Sequence, residues 1–245
     1  MRYTQYMELF YFESEQEVQR RCAQNIAQII RGAESQPVLV LYSGGSGLKV
    51  MQYLYEALVD VDLHQVIFAP LDERLDIQYS NAKAFAEMES ARLFMERGAT
   101  LVDIGDVKDG LIAVADRYEE QIKDLIEDIQ DHEGVIISLL GMGTDGHTAG
   151  MFPYPEDMNF FEETFLTTSQ FVVGYDVGDK NQYPERITLT LAALEQADYS
   201  FVYVTGAEKE AVLKRAFGEG KIAEIPARLW KDLPKVKIFT NCVVE

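Results

Sequence analysis

Short runs of consecutive apolar residues recur along this chain, and longer amphipathic stretches separate them. PVLVLY (37–42) and GVIISLL (134–140) are such runs, and HQVIFAPL (64–71), FVVGYDV (171–177), YSFVYVTG (199–206) and KVKIFT (235–240) read as further strands. A run with no polar residue at alternate positions suits a strand covered on both faces. YMELFYF (6–12) reads as a first strand. Ser14 and Glu17 then form a capping box that opens a helix through about Arg31. LKVMQYLYEALVD (48–60), SNAKAFAEMESARLFM (80–95), GLIAVADRYEEQIKDLIEDIQ (110–130) and AEKEAVLKRAF (207–217) read as further helices, and ITLTLAALEQA (187–197) starts extended and turns helical. Residues 154–170 are irregular and aromatic. Strand and helix in alternation predict an α/β fold: an open, mostly parallel, Rossmann-like sheet with helices on both faces. No repeat, low-complexity tract or linker divides the chain, so one domain is expected over 1–245, with a small flap around 154–185.

In such a sheet, ligands bind at the carboxyl ends of the strands. The charge balance narrows what that ligand can be. The 245 residues carry 41 acidic and 22 basic side chains, a formal net charge of −19. Nucleic acid and anionic membrane surfaces need clustered Lys and Arg, so neither is an expected partner. A small anion is compatible, because bulk charge is screened beyond roughly 8 Å and a few cations suffice locally. The N-terminal residues lack the basic, apolar and small-residue sequence of a secretory signal. Cys22 and Cys242 lie at opposite ends of the chain with no zinc-site spacing and read as two reduced thiols. A cytoplasmic protein without metal or cofactor is the expectation.

Four strand-end segments could carry chemistry. Ser43-Gly44-Gly45-Ser46 lies between a strand and a helix, where backbone N–H groups can cradle phosphate. It matches neither the Walker A loop nor the G-x-G-x-x-G fingerprint, and a tight turn that binds nothing explains it equally well. Asp72-Glu73-Arg74 ends another strand, and taken alone is a solvated turn with a local ion pair. Gly141 to His147, GMGTDGH, is more specific. Its glycines, Gly143 among them, allow close backbone approach, and His147 is the natural proton-transfer group near neutral pH. A lone histidine in such a place is often bonded to main chain instead. His64 and His132 read as structural or solvent-facing. Arg186 precedes an apolar segment, and Lys209 lies in the first turn of a helix, where a bound anion would offset its conflict with the helix dipole.

As an ordered set, SGGS, DER followed by Ser80-Asn81, LLGMGTDGHTAGMFP, RITLT, TGAEK and IPA resemble the family of 6-phosphogluconolactonases and glucosamine-6-phosphate isomerases, from about Ser43 to Ala227. The deaminase branch has a glutamate five residues past the histidine, used in opening the sugar ring. Here that position is Phe152, and HTAGMFP is similar to the lactonase version. The glycine loop continues Ser46-Gly47-Leu48 where the family commonly has Ser-Thr-Pro. The resemblance implies hydrolysis of 6-phospho-D-glucono-1,5-lactone to 6-phosphogluconate, in the pentose phosphate pathway. On that reading His147 is the expected general base, and main-chain N–H groups of the 141–146 loop are expected at the oxyanion. Asp72 would orient the histidine or the attacking water, with Asp145 as a brace within the loop. Ser43, Gly44, Gly45, Ser46, Gly143, Arg74, Arg186 and Lys209 would hold the phosphorylated substrate. An amino-sugar-phosphate isomerase or deaminase and a non-catalytic sugar-phosphate sensor are the competing readings.

Overall fold

The computed structural model describes residues 7–76, 79–105 and 107–244. Tyr6, the first residue of the first predicted strand, lies outside them. The first half of the chain forms β1 (Glu8–Tyr11), α1 (Glu15–Gly32), β2 (Val38–Tyr42), α2 (Leu48–Ala57), β3 (Val66–Pro70), β4 (Asp72–Arg74), α3 (Asn81–Ala86), α4 (Glu89–Glu96), β5 (Thr100–Leu101) and α5 (Leu111–Asp131). The second half forms β6 (Val135–Leu140), α6 (Met158–Phe161), β7 (Val172–Asp176), β8 (Glu185–Leu189), α7 (Leu191–Leu194), β9 (Tyr199–Val204), α8 (Glu210–Phe217) and β10 (Val236–Thr240).

Seven strands pair in the order β1-β10-β9-β6-β2-β3-β5, and every pairing is parallel. The apolar runs explain why. Along β2, Val38, Val40 and Tyr42 pack with Val18, Cys22 and Ile26 of α1 and with Met51 of α2. The alternate residues Leu39 and Leu41 pack on the other face with Val114, Tyr118 and Ile122 of α5. A strand buried on both sides must be apolar at every position, and each fully buried large side chain contributes about 1.5–3 kcal/mol. α1 shows the helical side of the same arrangement. Ser14 Oγ accepts from Glu17 N at 3.2 Å, and the helix buries Val18, Cys22, Ala23, Ile26, Ala27 and Ile30 along one face.

Three details differ from the sequence expectation. The 80–95 helix is two helices, because Met88 is extended (ψ 143°) and interrupts it. Residues 154–170 contain α6, capped by Asp157 Oδ1 accepting from Phe160 N at 3.0 Å, followed by a π-helical turn over 162–166. Its aromatic residues explain the fold there: Phe161 and Phe165 are buried and meet at 5.0 Å. Finally, β7 and β8 do not join the large sheet. With β4 they make a second, antiparallel sheet in the order β4-β8-β7.

The chain winds outward from β2 to β3 and β5, then returns to place β6 on the other side of β2. That reversal is a topological switch point, where a crevice opens at the strand ends. The loops after β2 and β6 diverge there, and one bond links them: Gly141 N donates to Ser43 Oγ at 3.1 Å. Among the described residues no helix is long and apolar enough to cross a membrane.

Candidate active site

A cleft of about 210 Å³ opens at this switch point. Ser43, Gly44, Gly45, Ser46, Asp72, Arg74, Gly143, His147, Arg186 and Lys209 all line it, so ten of the eleven sequence-selected residues meet in one place. Asp145 does not line it but touches His147 from behind. Asn81, Thr148, Ala149 and Gly150 also line it. None of these four was selected from the sequence as a site residue, although Asn81 belongs to the Ser80-Asn81 motif, and that motif was its signal.

The histidine is held on three sides. Its Nδ1 lies 2.6 Å from Asp145 Oδ1, which also accepts His147 N at 3.1 Å. The ring stacks on Phe152 at 4.5 Å between centroids. A Cβ at Gly143 would lie 2.2 Å from the imidazole, so no larger residue fits beneath it. Burial acts to raise the Asp145 carboxyl, but the side chain, charge and backbone N–H of His147 outweigh it and hold the carboxyl below its ordinary value. An ionised Asp145 fixes the proton on Nδ1 and leaves Nε2 as the basic nitrogen. Nε2 has no protein partner among the described residues.

This geometry narrows the expected roles of Asp72, which was to orient either the histidine or the attacking water. The carboxylate that orients His147 is Asp145. Asp72 instead pairs with Arg186 at 2.9 Å and accepts Asn81 Nδ2 at its backbone oxygen, 3.0 Å away. The 141–146 loop is also a poorer donor than expected. Gly141 N is taken by Ser43 Oγ, Gly143 N donates to His147 O at 2.9 Å, and Gly146 N donates to Gly143 O at 3.1 Å. Gly143 therefore supplies space for the imidazole and no free N–H.

The Ser43–Ser46 loop is the opposite. Its Gly44, Gly45 and Ser46 N–H groups have no acceptor among the described residues, and the loop runs through a 3-10 turn (Gly45–Gly47) into α2. The 3-10 turn replaces the proline-led helix start of the family pattern. Such open donors ahead of a helix attract anions.

Three cations face the same space. Arg74 and Arg186 are directly opposite one another in the β4–β8 pairing. Like charges at that spacing repel, and among the described residues Asp72 is the only carboxylate paired with either. Aromatic rings cover part of both guanidinium groups: Tyr183 lies 5.2 Å from Arg74 Cζ and Phe152 lies 5.5 Å from Arg186 Cζ. Arg186 is only 4% exposed, and its Nε and Nη1 are buried without a partner. Such orphaned donors are costly unless something accepts from them. Lys209 has no ion pair among the described residues, and burial pushes its ammonium below the ordinary value. A bound dianion would satisfy all three.

Glu73 is absent from the cleft lining. Burial drives its carboxyl up to about 7, against three backbone N–H donors. It accepts from Arg74 N and Ala82 N at 2.7 Å each, and from Asn81 N. It thus ties β4 to the start of α3. The two remaining histidines are at the surface, His64 against Asp62 and His132 against Asp128. Cys22 and Cys242 are buried free thiols.

Fold and cleft together define a parallel-sheet α/β protein whose switch-point crevice joins a loop of open main-chain donors and three cations to a carboxylate-held histidine. The family model described as glucosamine-6-phosphate isomerases/6-phosphogluconolactonase matches residues 13–237, and the chain belongs to that family. A 6-phosphogluconolactonase of Helicobacter pylori is 25% identical over 226 residues, covering 89% of this chain and 90% of that protein. A probable 6-phosphogluconolactonase of Drosophila melanogaster is 31% identical over 179 residues, 71% of this chain and 68% of the other. The crystal structure of a 6-phosphogluconolactonase from Shewanella baltica superposes with a TM-score of 0.77 at 22% identity, over 97% of each chain, which shows the shared fold.

Proposed function

We propose that this protein hydrolyses the internal ester of 6-phospho-D-glucono-1,5-lactone to 6-phosphogluconate, a step of the pentose phosphate pathway. The observation that carries the reading is that one cleft holds both His147, backed by Asp145, and the Ser43–Ser46 loop with Arg74, Arg186 and Lys209. His147 Nε2 takes a proton from water as the water oxygen attacks the lactone carbonyl carbon. The tetrahedral adduct collapses, the ring C–O bond breaks, and the proton passes from His147 to the departing ring oxygen. Asp145 stabilises the imidazolium between these steps. The open N–H groups of Gly44, Gly45 and Ser46, with the cations, hold the phosphate.

Phe152 favours this chemistry over deamination. The resemblance puts a glutamate there in the deaminase branch, whereas Phe152 is 2% exposed and stacked on the catalytic ring. It can relay no proton.

The decisive measurement is turnover of freshly made 6-phosphogluconolactone, corrected for its spontaneous opening. Acceleration by the protein is expected. No acceleration, or release of ammonia from glucosamine 6-phosphate, would reject the reading.

A further inference from the structure

The three glycine N–H groups of the loop expected to receive the oxyanion are already engaged, and those of the two residues at the tip of the next turn are not. Thr148-Ala149-Gly150-Met151 is a tight turn closed by Met151 N donating to Thr148 O at 2.9 Å. Its two central residues both have positive φ, +48° at Ala149 and +73° at Gly150. An alanine is strained in that region, and strain of this kind persists only where the surroundings enforce it. The enforcement is visible. The hydroxyl of Thr188 donates to Ala149 O, and Tyr175 Oη donates to Gly150 O at 2.5 Å. Trp230 Nε1 donates to Thr148 Oγ1 at 3.2 Å, and that oxygen in turn donates to Gly141 O at 2.7 Å. Gly150 packs so closely on Asp72 that a Cβ would lie 2.6 Å from it.

Both carbonyls are thus anchored to the protein, while the N–H groups of Ala149 and Gly150 have no acceptor among the described residues. Ala149 is only 3% exposed and lines the cleft. Buried backbone donors are nearly always satisfied. Two consecutive ones left open beside a proton-transfer histidine call for an acceptor supplied by the ligand.

We infer that the Ala149–Gly150 turn is the oxyanion hole of the reaction, a role that rests on the lactonase reading above. As the water oxygen bonds to the lactone carbon, the carbonyl π electrons move onto its oxygen, and the two N–H groups donate to that oxygen. They release it when the C=O bond re-forms and the ring ester bond breaks. Donors held in place before the reaction stabilise developing charge without reorganisation. The cleft therefore offers separate groups of open main-chain donors to the two ends of the substrate: Gly44 to Ser46 for the phosphate, Ala149 and Gly150 for the carbonyl.

The test removes the N–H without changing the side chain. Lactic acid in place of Ala149, or glycolic acid in place of Gly150, converts the preceding amide to an ester. Either substitution is expected to lower kcat on 6-phosphogluconolactone by about 100-fold. KM, and inhibition by inorganic phosphate, should stay within about threefold of the unmodified protein. A kcat within twofold of the unmodified protein in both esters overturns the inference. So does a parallel loss of kcat and phosphate inhibition in both, which would mean that the turn supports the cleft as a whole. Failure of the underlying reading is a different result, absence of turnover by the unmodified protein.

Discussion

The loops after β2 and β6 are both glycine-rich, leave adjacent parallel strands and face the same cleft, yet they use their backbones in opposite ways. The Ser43–Ser46 loop keeps three N–H groups open. The Gly141–His147 loop engages the N–H groups of its three glycines and of His147 within the protein, and its product is a side chain, the imidazole of His147, held at a fixed angle by Asp145, Phe152 and the bare Cα of Gly143. Glycine content therefore has different outcomes: open main-chain donors facing the cleft in one loop, close packing of the chain's own histidine in the other.

If that contrast is right, damage to the β6 loop should appear in kcat and damage around the β2 loop in KM. His147→Ala is the severest case and should lower kcat on 6-phosphogluconolactone by about 1,000-fold, with unchanged circular dichroism and melting temperature. Near-normal turnover would remove the histidine from the mechanism. Asp145→Asn should come next, with kcat reduced on the order of 100-fold because the imidazole loses its tautomer and its counter-charge. If Asp72→Asn, measured alongside, lowered kcat while Asp145→Asn did not, the assignment of the orienting carboxylate would reverse. Lys209→Ala should raise KM for the phosphorylated lactone about tenfold, the scale of one charged hydrogen bond, and leave an unphosphorylated lactone almost unaffected. Equal losses on both substrates would separate Lys209 from the phosphate.

The smallest expected effect concerns Glu73, which braces β4 behind both loops. Its folded-state value is raised from 4.5 to about 7, so between these values the folded protein binds a proton that the unfolded chain has released. Stability from this group is full below about pH 4.5 and is lost as pH rises through about 7. Denaturant midpoints at pH 5 and pH 8 should differ in that direction, and Glu73→Gln should remove the difference. A Glu73→Gln variant with the wild-type pH slope would place the titration elsewhere.

How much of this was legible in the sequence depends on the range of the interaction. The parallel sheet could be read because β2, β6 and β9 are apolar at nearly every position, a consequence of burial on both faces. The strand-end rule then led to Ser43, Asp72, Gly141 and Thr205. The small sheet could not be read. β4 has three residues, Asp72–Arg74, two of them carboxylates, and only its pairing with β8 makes it a strand. The pairing of Asp72 with Arg186 spans 114 residues, so nothing local announces that this carboxylate is already engaged. The Asp145–His147 contact spans two residues, and Asp145 was expected there as a brace; of the two roles left open for Asp72, contact with the ring is the one it does not make. The turn at Ala149 carries no compositional warning, since alanine is an unusual choice for positive φ.

The cross-strand placement of Arg74 opposite Arg186 has a mechanical consequence. Both belong to the small antiparallel sheet, whereas His147 and the glycine loop hang from the large parallel one. A shift of the small sheet would carry the two guanidinium groups together, and the bonds from Thr188 and Tyr175 to Ala149 O and Gly150 O would drag the turn after His147 with them. The cation pair and the histidine loop are therefore geared to one another, so neither can be displaced without straining the other.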